Sequence, residues 1–289
     1  MINKKEREPF NVKTYHLHKH SNQMEYLTFP GFEQFNNLSH LFSTRNGGIS
    51  TGCYESLNFA FREEDLKSNV HHHYQQLAEI LGTNEDHLIT SAQTHTANIR
   101  IVTRADCGKG LTKEKDFSDI DGLITNETEI GIITAHADCN AIFFYDPVEK
   151  VIGLAHSGWS GTLENIVAAM IKLMKEQFKC LPQNIHVGIG PSLCQNCFEV
   201  DFDVSNQFMK ACALYEPYIQ ISQSKAYIDL REIIHLQLDQ IGILKTKISQ
   251  MDLCTKCHPE LFYSHRRQGI HRGVMVAAMI LHESDTADI

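Results

Sequence analysis

The chain has 289 residues, of which 42% are hydrophobic and 21% charged, and its formal net charge is −9. That length accommodates one large α/β domain or two small ones, and the composition excludes a disordered or fibrous chain. The negative charge argues against a nucleic-acid or anionic-membrane surface, while leaving room for a local basic pocket that binds a small anion.

The opening MINKKEREPFNVK is charged and lacks the apolar stretch of a secretory leader. The apolar run VMVAAMIL at 274–281 is too short to span a bilayer. Both features point to a cytoplasmic protein without membrane contact. Nine cysteines then read as thiols or ligands rather than disulfides, and an odd number leaves at least one unpaired.

The first 25 residues are polar and read as an N-terminal arm, or an edge strand, ahead of a domain over 26–289. HLHKH at 16–20 lies in this arm; its alternate histidines read as a solvated terminus rather than a metal site. LFSTRNGGIST (41–51) predicts a short strand running into a Gly-Gly turn. SNVHHHYQQLAEILG (68–82) has helical spacing at Val70, Tyr74, Leu77, Ile80 and Leu81, with Gly82 as a stop. Its three histidines, His71 to His73, point three ways around a helix and read as solvated.

EIGIITAHAD (129–138), AIFFYDP (141–147) and VIGLAHS (151–157) predict buried strands, the last two joined as an antiparallel hairpin by DPVEK. GTLENIVAAMIKLMKEQF (161–178) predicts one long amphipathic helix that buries Leu163, Ile166, Val167, Met170, Ile171 and Met174. A strand over NIHVGIGPSL (184–193), helices over 200–214 and 229–242, and closing strands over ELFYSHRR (260–267) and GVMVAAMIL (273–281) follow. No linker divides the chain. The expectation is a single α/β domain with mixed strand directions.

Asp138, Cys139 and His156 sit at the ends of apolar strands, where packing explains them poorly. SAQTHTANIR (91–100) adds His95. Two imidazoles and a thiolate suit Zn²⁺, and three protein ligands leave one coordination position open, as in a catalytic site. A metal there would lower the pKa of a bound water toward neutrality. The three residues come from separate segments, 44 and 17 positions apart, so spacing alone leaves them open to another reading. A buried Cys is usually a small hydrophobe, and a single His is usually satisfied by packing and one hydrogen bond.

TRNGG (44–48), SLN (56–58), QTH (93–95), DGLIT (121–125), ADC (137–139), HSGWSGT (156–162), GIGPSL followed by CFEV, IDLR (228–231), CT (254–255) and FYSHRR occur in the order of one family. Over roughly 42–281 the chain resembles the laccase-domain family, long labelled multicopper polyphenol oxidases and better described as zinc-dependent purine nucleoside phosphorylases with adenosine deaminase activity. The resemblance implies a layered α/β sandwich. It also implies a zinc held by His95, Cys139 and His156, with Cu²⁺ as a substitute. Arg45 and Asn58 match motif residues lining the family's pocket, and Gln93 stands two before the first ligand. The implied partners are phosphate and purine nucleosides (adenosine, inosine, guanosine, methylthioadenosine). A monomer is the default expectation, on which the resemblance does not bear.

Deamination needs a carboxylate that moves protons, and Asp138 is the candidate beside the ligand cysteine. The alternative role for Asp138 is to orient a ligand or cap a turn. In phosphorolysis phosphate attacks C1′ of the ribose as the purine leaves. The chain departs from the family's pattern at Ser160, where a basic residue is usual, and at Ala141, where proline is usual. Arg45, Arg266 or the N–H groups at Gly161–Thr162 are the candidates to replace the missing charge.

Other readings weigh less. CQNC (194–197) and CTKC (254–257) are separated by 56 residues, against the ~15–20 of a zinc ribbon, so a second metal is not expected. Trp159 reads as pocket wall or as core. A multicopper oxidase needs about four coppers and many more matched histidines; few of the 17 histidines fall in motif-like pairs and blue-copper ligand spacing is missing, although copper in the zinc site would give weak polyphenol oxidation. Cys139 as nucleophile with His156 as base would instead make a hydrolase, of the kind that edits peptidoglycan precursors.

Overall fold

The computed structural model describes residues 14–283. Its strands are β1 (His16–Lys19), β2 (Glu25–Thr28), β3 (Leu38–Ser43), β4 (Leu88–Thr90), β5 (Ile99–Ile101), β6 (Gly122–Thr125), β7 (Gly131–His136), β8 (Asn140–Asp146), β9 (Val151–Ser157), β10 (His186–Ile189), β11 (Glu199–Val200), β12 (Ile219–Ile221), β13 (Ala226–Ile228), β14 (Ile248–Gln250) and β15 (Met275–Leu281). The α-helices are α1 (Lys67–Ile80), α2 (Trp159–Leu163), α3 (Ile166–Phe178), α4 (Phe202–Ala211), α5 (Leu230–Ile241) and α6 (His265–Gln268). None of them is long and apolar enough to cross a membrane among the described residues.

Two six-stranded mixed sheets stack face to face, in the orders β1-β2-β3-β15-β7-β4 and β14-β10-β8-β9-β6-β5. A small sheet, β11-β13-β12, lies beside them. The alternation of side chains along each strand explains the layering. On β15, Met275, Ala277, Met279 and Leu281 enter the core between the sheets with Phe143, Tyr145 and Leu154 of the second sheet. Val276, Ala278 and Ile280 point the other way, onto Val70, Tyr74 and Leu77 of α1. On β8, Ile142 and Phe144 face α3 and α5 through Met170, Ile171 and Ile234. The order of layers is therefore helix, sheet, sheet, helix. Strands covered on both faces are apolar through their middles, which is why 141–145, 151–155 and 274–281 read as hydrophobic runs.

The predicted hairpin is present, with Asn140 opposite Ser157 and Asp146 opposite Val151. Four expectations need correction. The single helix from Gly161 is two helices, because Asn165 adopts a left-handed conformation (φ 59°, ψ 57°) and its side chain accepts from the Ala168 N–H to cap α3. Gly161 and Thr162 thus lie inside the short α2, and the Thr162 N–H is spent on Gly158 O. ELFYSHRR is not a strand: Phe262 N turns back to His258 O, both aromatic rings are buried, and the Ser264 side chain caps α6. His73 is fully buried rather than solvated, held by Asn58 O (2.7 Å) and the Ile49 N–H (3.0 Å). The run 273–281 forms an interior strand between β3 and β7.

The first four residues of HLHKH form the whole of the edge strand β1, paired with β2, and His16 lies 2.9 Å from Glu33. The earlier residues of the arm, 1–13, lie outside the described residues.

Candidate metal centre and pocket

His95, Cys139 and His156 converge, with their donor atoms within 4.8 Å of one another. His95 is exposed, Cys139 half-buried and His156 buried, so the group opens outward on the His95 side. His95 lies on the loop between β4 and β5 in a left-handed conformation (φ 68°). Cys139 follows Asp138 (φ 97°) at the bend from β7 into β8. His156 is near the end of β9, opposite Ala141. Gly158 permits the approach: a Cβ there would stand 2.8 Å from His95 Cδ2 and 3.2 Å from Cys139 Sγ.

One carboxylate orients the His156 imidazole and anchors the backbone that carries His95. Asp121, fully buried at the start of β6, accepts from His156 Nδ1 at 2.8 Å. It also accepts from the backbone N–H groups of Thr94 (3.0 Å), His95 (3.1 Å) and Thr96 (2.9 Å). Burial works against its charge, yet the His156 contact and these N–H donors hold its carboxyl down at about 2. With Nδ1 committed to Asp121, His156 has Nε2 left for the thiol side. Burial pushes the Cys139 thiol up, but His156 and His95 bring it down to about 6. Burial pushes His156 down, but Cys139 and Asp121 raise it to about 9. His136, also fully buried, faces the Cys139 carbonyl at 3.2 Å and is held neutral by burial first and by His156 second. Two imidazoles and a stabilised thiolate form a donor set that fits a zinc ion, with an orienting carboxylate behind it.

A pocket of about 330 Å³ opens over this group, lined by His95, Cys139, Trp159, Leu193, Phe198, Arg266 and Arg272 among others. That size is adequate for a small ligand. Arg272 has a buried Nε without a hydrogen-bond partner in the described protein. Trp159 serves both of its expected roles: it lines the pocket and packs against the apolar cluster of Leu193, Phe198 and Phe208.

The other sequence-derived candidates divide. Arg266 lines the pocket. Asp138 lines it too, but both carboxylate oxygens are engaged, by Thr255 Oγ1 and by the Arg266 backbone N–H, each at 2.6 Å. Arg45, Asn58 and Gln93 do not line this pocket, and each is held by other protein groups. Arg45 lies over the Tyr263 ring at 4.5 Å and donates to Pro259 O. Asn58 is fully buried and bonds Asp65 and the Val274 N–H. Gln93 pairs with both backbone groups of Ala135. Ser160 Oγ donates to Glu164 at 3.2 Å and stands outside the pocket lining.

The sequence gives no signal for Arg272, in the unassuming GIHRG stretch, and none for the role of Asp121 beyond its place in the DGLIT motif. It also keeps the two C-x-x-C pairs apart. In the structure Cys194, Cys197, Cys254 and Cys257 come together within 4.8 Å, because the strands before each pair, β10 and β14, are neighbours in one sheet.

Residues 39–282 match the family model described as multi-copper polyphenol oxidoreductase laccase. The purine nucleoside phosphorylase YlmD of Bacillus subtilis is 33% identical over 246 residues, 84% of this chain and 88% of that protein. The crystal structure of Bacillus licheniformis hypothetical protein YfiH superposes with a TM-score of 0.84 at 29% identity, covering 92% of this chain and 98% of that one. That of YlmD from Geobacillus stearothermophilus gives 0.83 at 29% identity, covering 94% and 100%.

Proposed function

The chain belongs to the multi-copper polyphenol oxidoreductase laccase family, and on that premise we propose that it is a zinc-dependent purine nucleoside phosphorylase that also deaminates adenosine. The observation that carries the reading is one pocket lined by three contrasting kinds of group. His95 and Cys139 line its floor with His156 buried close behind them, Trp159, Leu193 and Phe198 supply an apolar side, and Arg266, over the Phe198 ring, and Arg272 supply basic groups. Zinc held by His95, Cys139 and His156 would supply Lewis-acid chemistry. The apolar side accepts a purine ring, with Trp159 and Phe198 offering aromatic surfaces. The two guanidinium groups accept the phosphate dianion, a role for which their planar donors are suited. In this role they replace the basic residue absent at Ser160. Asp138 holds the Arg266 backbone and the Thr255 loop in position, and so places the basic side relative to Cys139.

In phosphorolysis a phosphate oxygen forms a bond to C1′ as the bond to the purine nitrogen breaks, giving ribose 1-phosphate and the free base. The expected substrates are adenosine, inosine, guanosine and methylthioadenosine. Chromatography of products from adenosine tests both activities. Adenine appearing only with phosphate is expected for phosphorolysis, and inosine or hypoxanthine for deamination. No product in any lane contradicts the proposal.

One observation favours a second reading. The low-pKa thiol of Cys139 beside the raised imidazole of His156 has the character of a nucleophile and its base in a cysteine hydrolase, for instance one acting on peptidoglycan precursors. Metal dependence separates the two: hydrolysis that survives complete removal of metal by a chelator favours the hydrolase, and its loss favours the zinc enzyme.

A further inference from the structure

The four remaining clustered cysteines are built into two matching turns. Cys194 and Cys197 follow β10, and Cys254 and Cys257 follow β14. The parallel pairing of these strands, Val187 with Ile248 through Ile189 with Gln250, continues past the sheet edge. Ser192 bridges Cys254, with Ser192 N donating to Leu253 O (3.3 Å) and Thr255 N donating to Ser192 O (3.1 Å).

Each C-x-x-C then folds the same way. Cys197 N and Phe198 N donate to Cys194 O at 2.9 and 3.0 Å. Cys257 N and His258 N donate to Cys254 O, both at 3.1 Å. A backbone N–H, that of Cys194, points at the Cys254 sulfur from 3.4 Å. Cys197 Sγ and Cys257 Sγ are 3.5 Å apart, and all four thiols lie within 4.8 Å of one another.

A tetrahedral ZnS4 centre with Zn–S bonds of about 2.3 Å has its sulfurs about 3.8 Å apart, so the cluster is already near the dimensions of such a centre. Packing does not account for it. Cys254 is buried but Cys257 is exposed and the other two are half-buried, and a core needs no four thiols facing one another across two loops.

We propose that Cys194, Cys197, Cys254 and Cys257 bind one zinc ion as a closed tetrathiolate site, distinct from the His95–Cys139–His156 group, that locks together the two loops behind the pocket wall. Those loops reach the pocket directly. Leu193 N donates to Asp138 O (3.1 Å), Thr255 Oγ1 donates to Asp138 Oδ1 (2.6 Å), and Leu193 and Phe198 line the cavity. With four protein ligands the site leaves no position for substrate, so its role is structural.

Zinc content measured by mass spectrometry tests this without any substrate, so its outcome is independent of the nucleoside reading. Protein loaded with zinc and desalted should carry two ions, and Cys139→Ala one. A Cys197→Ser/Cys257→Ser double variant should also carry one. Cobalt-loaded Cys139→Ala should show the intense charge-transfer absorption of a tetrahedral tetrathiolate. Should the double variant fail to fold, titrating folded Cys139→Ala with an organomercurial should release one zinc as four thiols react. A Cys139→Ala protein that holds no zinc, or holds iron in its place, overturns the proposal. So does thiol mapping that finds these four cysteines joined in disulfides after zinc loading.

Discussion

Asp121 Oδ1 accepts a 2.8 Å hydrogen bond from His156 Nδ1, and the same carboxylate gathers the N–H groups of Thr94, His95 and Thr96. Two of the three candidate ligands, on different segments, are therefore positioned by one buried residue. Asp121→Asn keeps the shape but puts an amide donor against donors. Zinc affinity should fall about 10–100-fold, the usual effect of losing a group that orients a metal-bound histidine. Competition with a fluorescent chelator reads it, and an unchanged affinity would remove Asp121 from this role.

The protonation of the centre sets how zinc binding depends on pH. Metal-free, Cys139 titrates near 6 and His156 near 9, against ordinary values of 9.0 and 6.5. The lowered Cys139 adds stability that is present above pH 9 and lost as pH falls through about 6. The raised His156 adds stability that is present below 6.5 and lost as pH rises through about 9. From about 6.5 to 9 the folded and unfolded chains each bind one proton at this pair, so it contributes little slope to metal-free stability. Zinc, however, must displace the His156 proton across that window. Affinity should rise about tenfold per pH unit between pH 6.5 and 8.5 and flatten above 9. Calorimetry of the Cys197→Ser/Cys257→Ser variant, which leaves only this centre, in buffers of different ionisation enthalpy should find at least one proton released per zinc near pH 7.5, and release of none would contradict the assignment.

The basic wall predicts where the anion binds. Arg272→Ala removes a charged donor whose interaction is worth roughly 1.5–3 kcal/mol, so the apparent phosphate KM should rise about tenfold or more. The nucleoside KM should change far less. Ser160→Arg should leave the phosphate KM nearly unaltered, because Ser160 faces Glu164 and not the pocket. Steady-state kinetics with each substrate varied in turn separates these cases. A lowered phosphate KM in Ser160→Arg would return the anion site to that position.

Asn165 tests the break between α2 and α3. Asn165→Ala loses the cap on the Ala168 N–H and places a Cβ residue without local compensation in a left-handed backbone. Together these should cost about 2 kcal/mol in urea denaturation, and Asn165→Gly appreciably less. Equal losses for the two would show that backbone conformation is not the cause.

The hairpin of β8 and β9 and the interior strand β15 are legible because burial on both faces leaves an uninterrupted apolar run. The break at Asn165 is not, since the buried pattern of Leu163, Ile166 and Val167 continues across it and only backbone conformation marks the stop. His95, Cys139 and His156 share no local motif; their order among the family's motifs points to them, and the Asp121 clamp that links His156 to the His95 backbone is invisible in sequence. Spacing misled at the C-x-x-C pairs, where the 56 intervening residues include α4, the small sheet and α5, and where parallel pairing of β10 with β14 cancels the separation. Arg45, Asn58 and Gln93 show that a motif position identifies a residue without saying whether its side chain reaches the pocket.

The most direct test of the central claim is phosphorus NMR of inosine and phosphate incubated with zinc-loaded protein, beside Cys139→Ala. Ribose 1-phosphate should accumulate with the wild-type chain, together with hypoxanthine in equal amount, and be absent from the variant. Ribose 1-phosphate formed equally by Cys139→Ala would contradict a reaction that depends on the His95–Cys139–His156 centre.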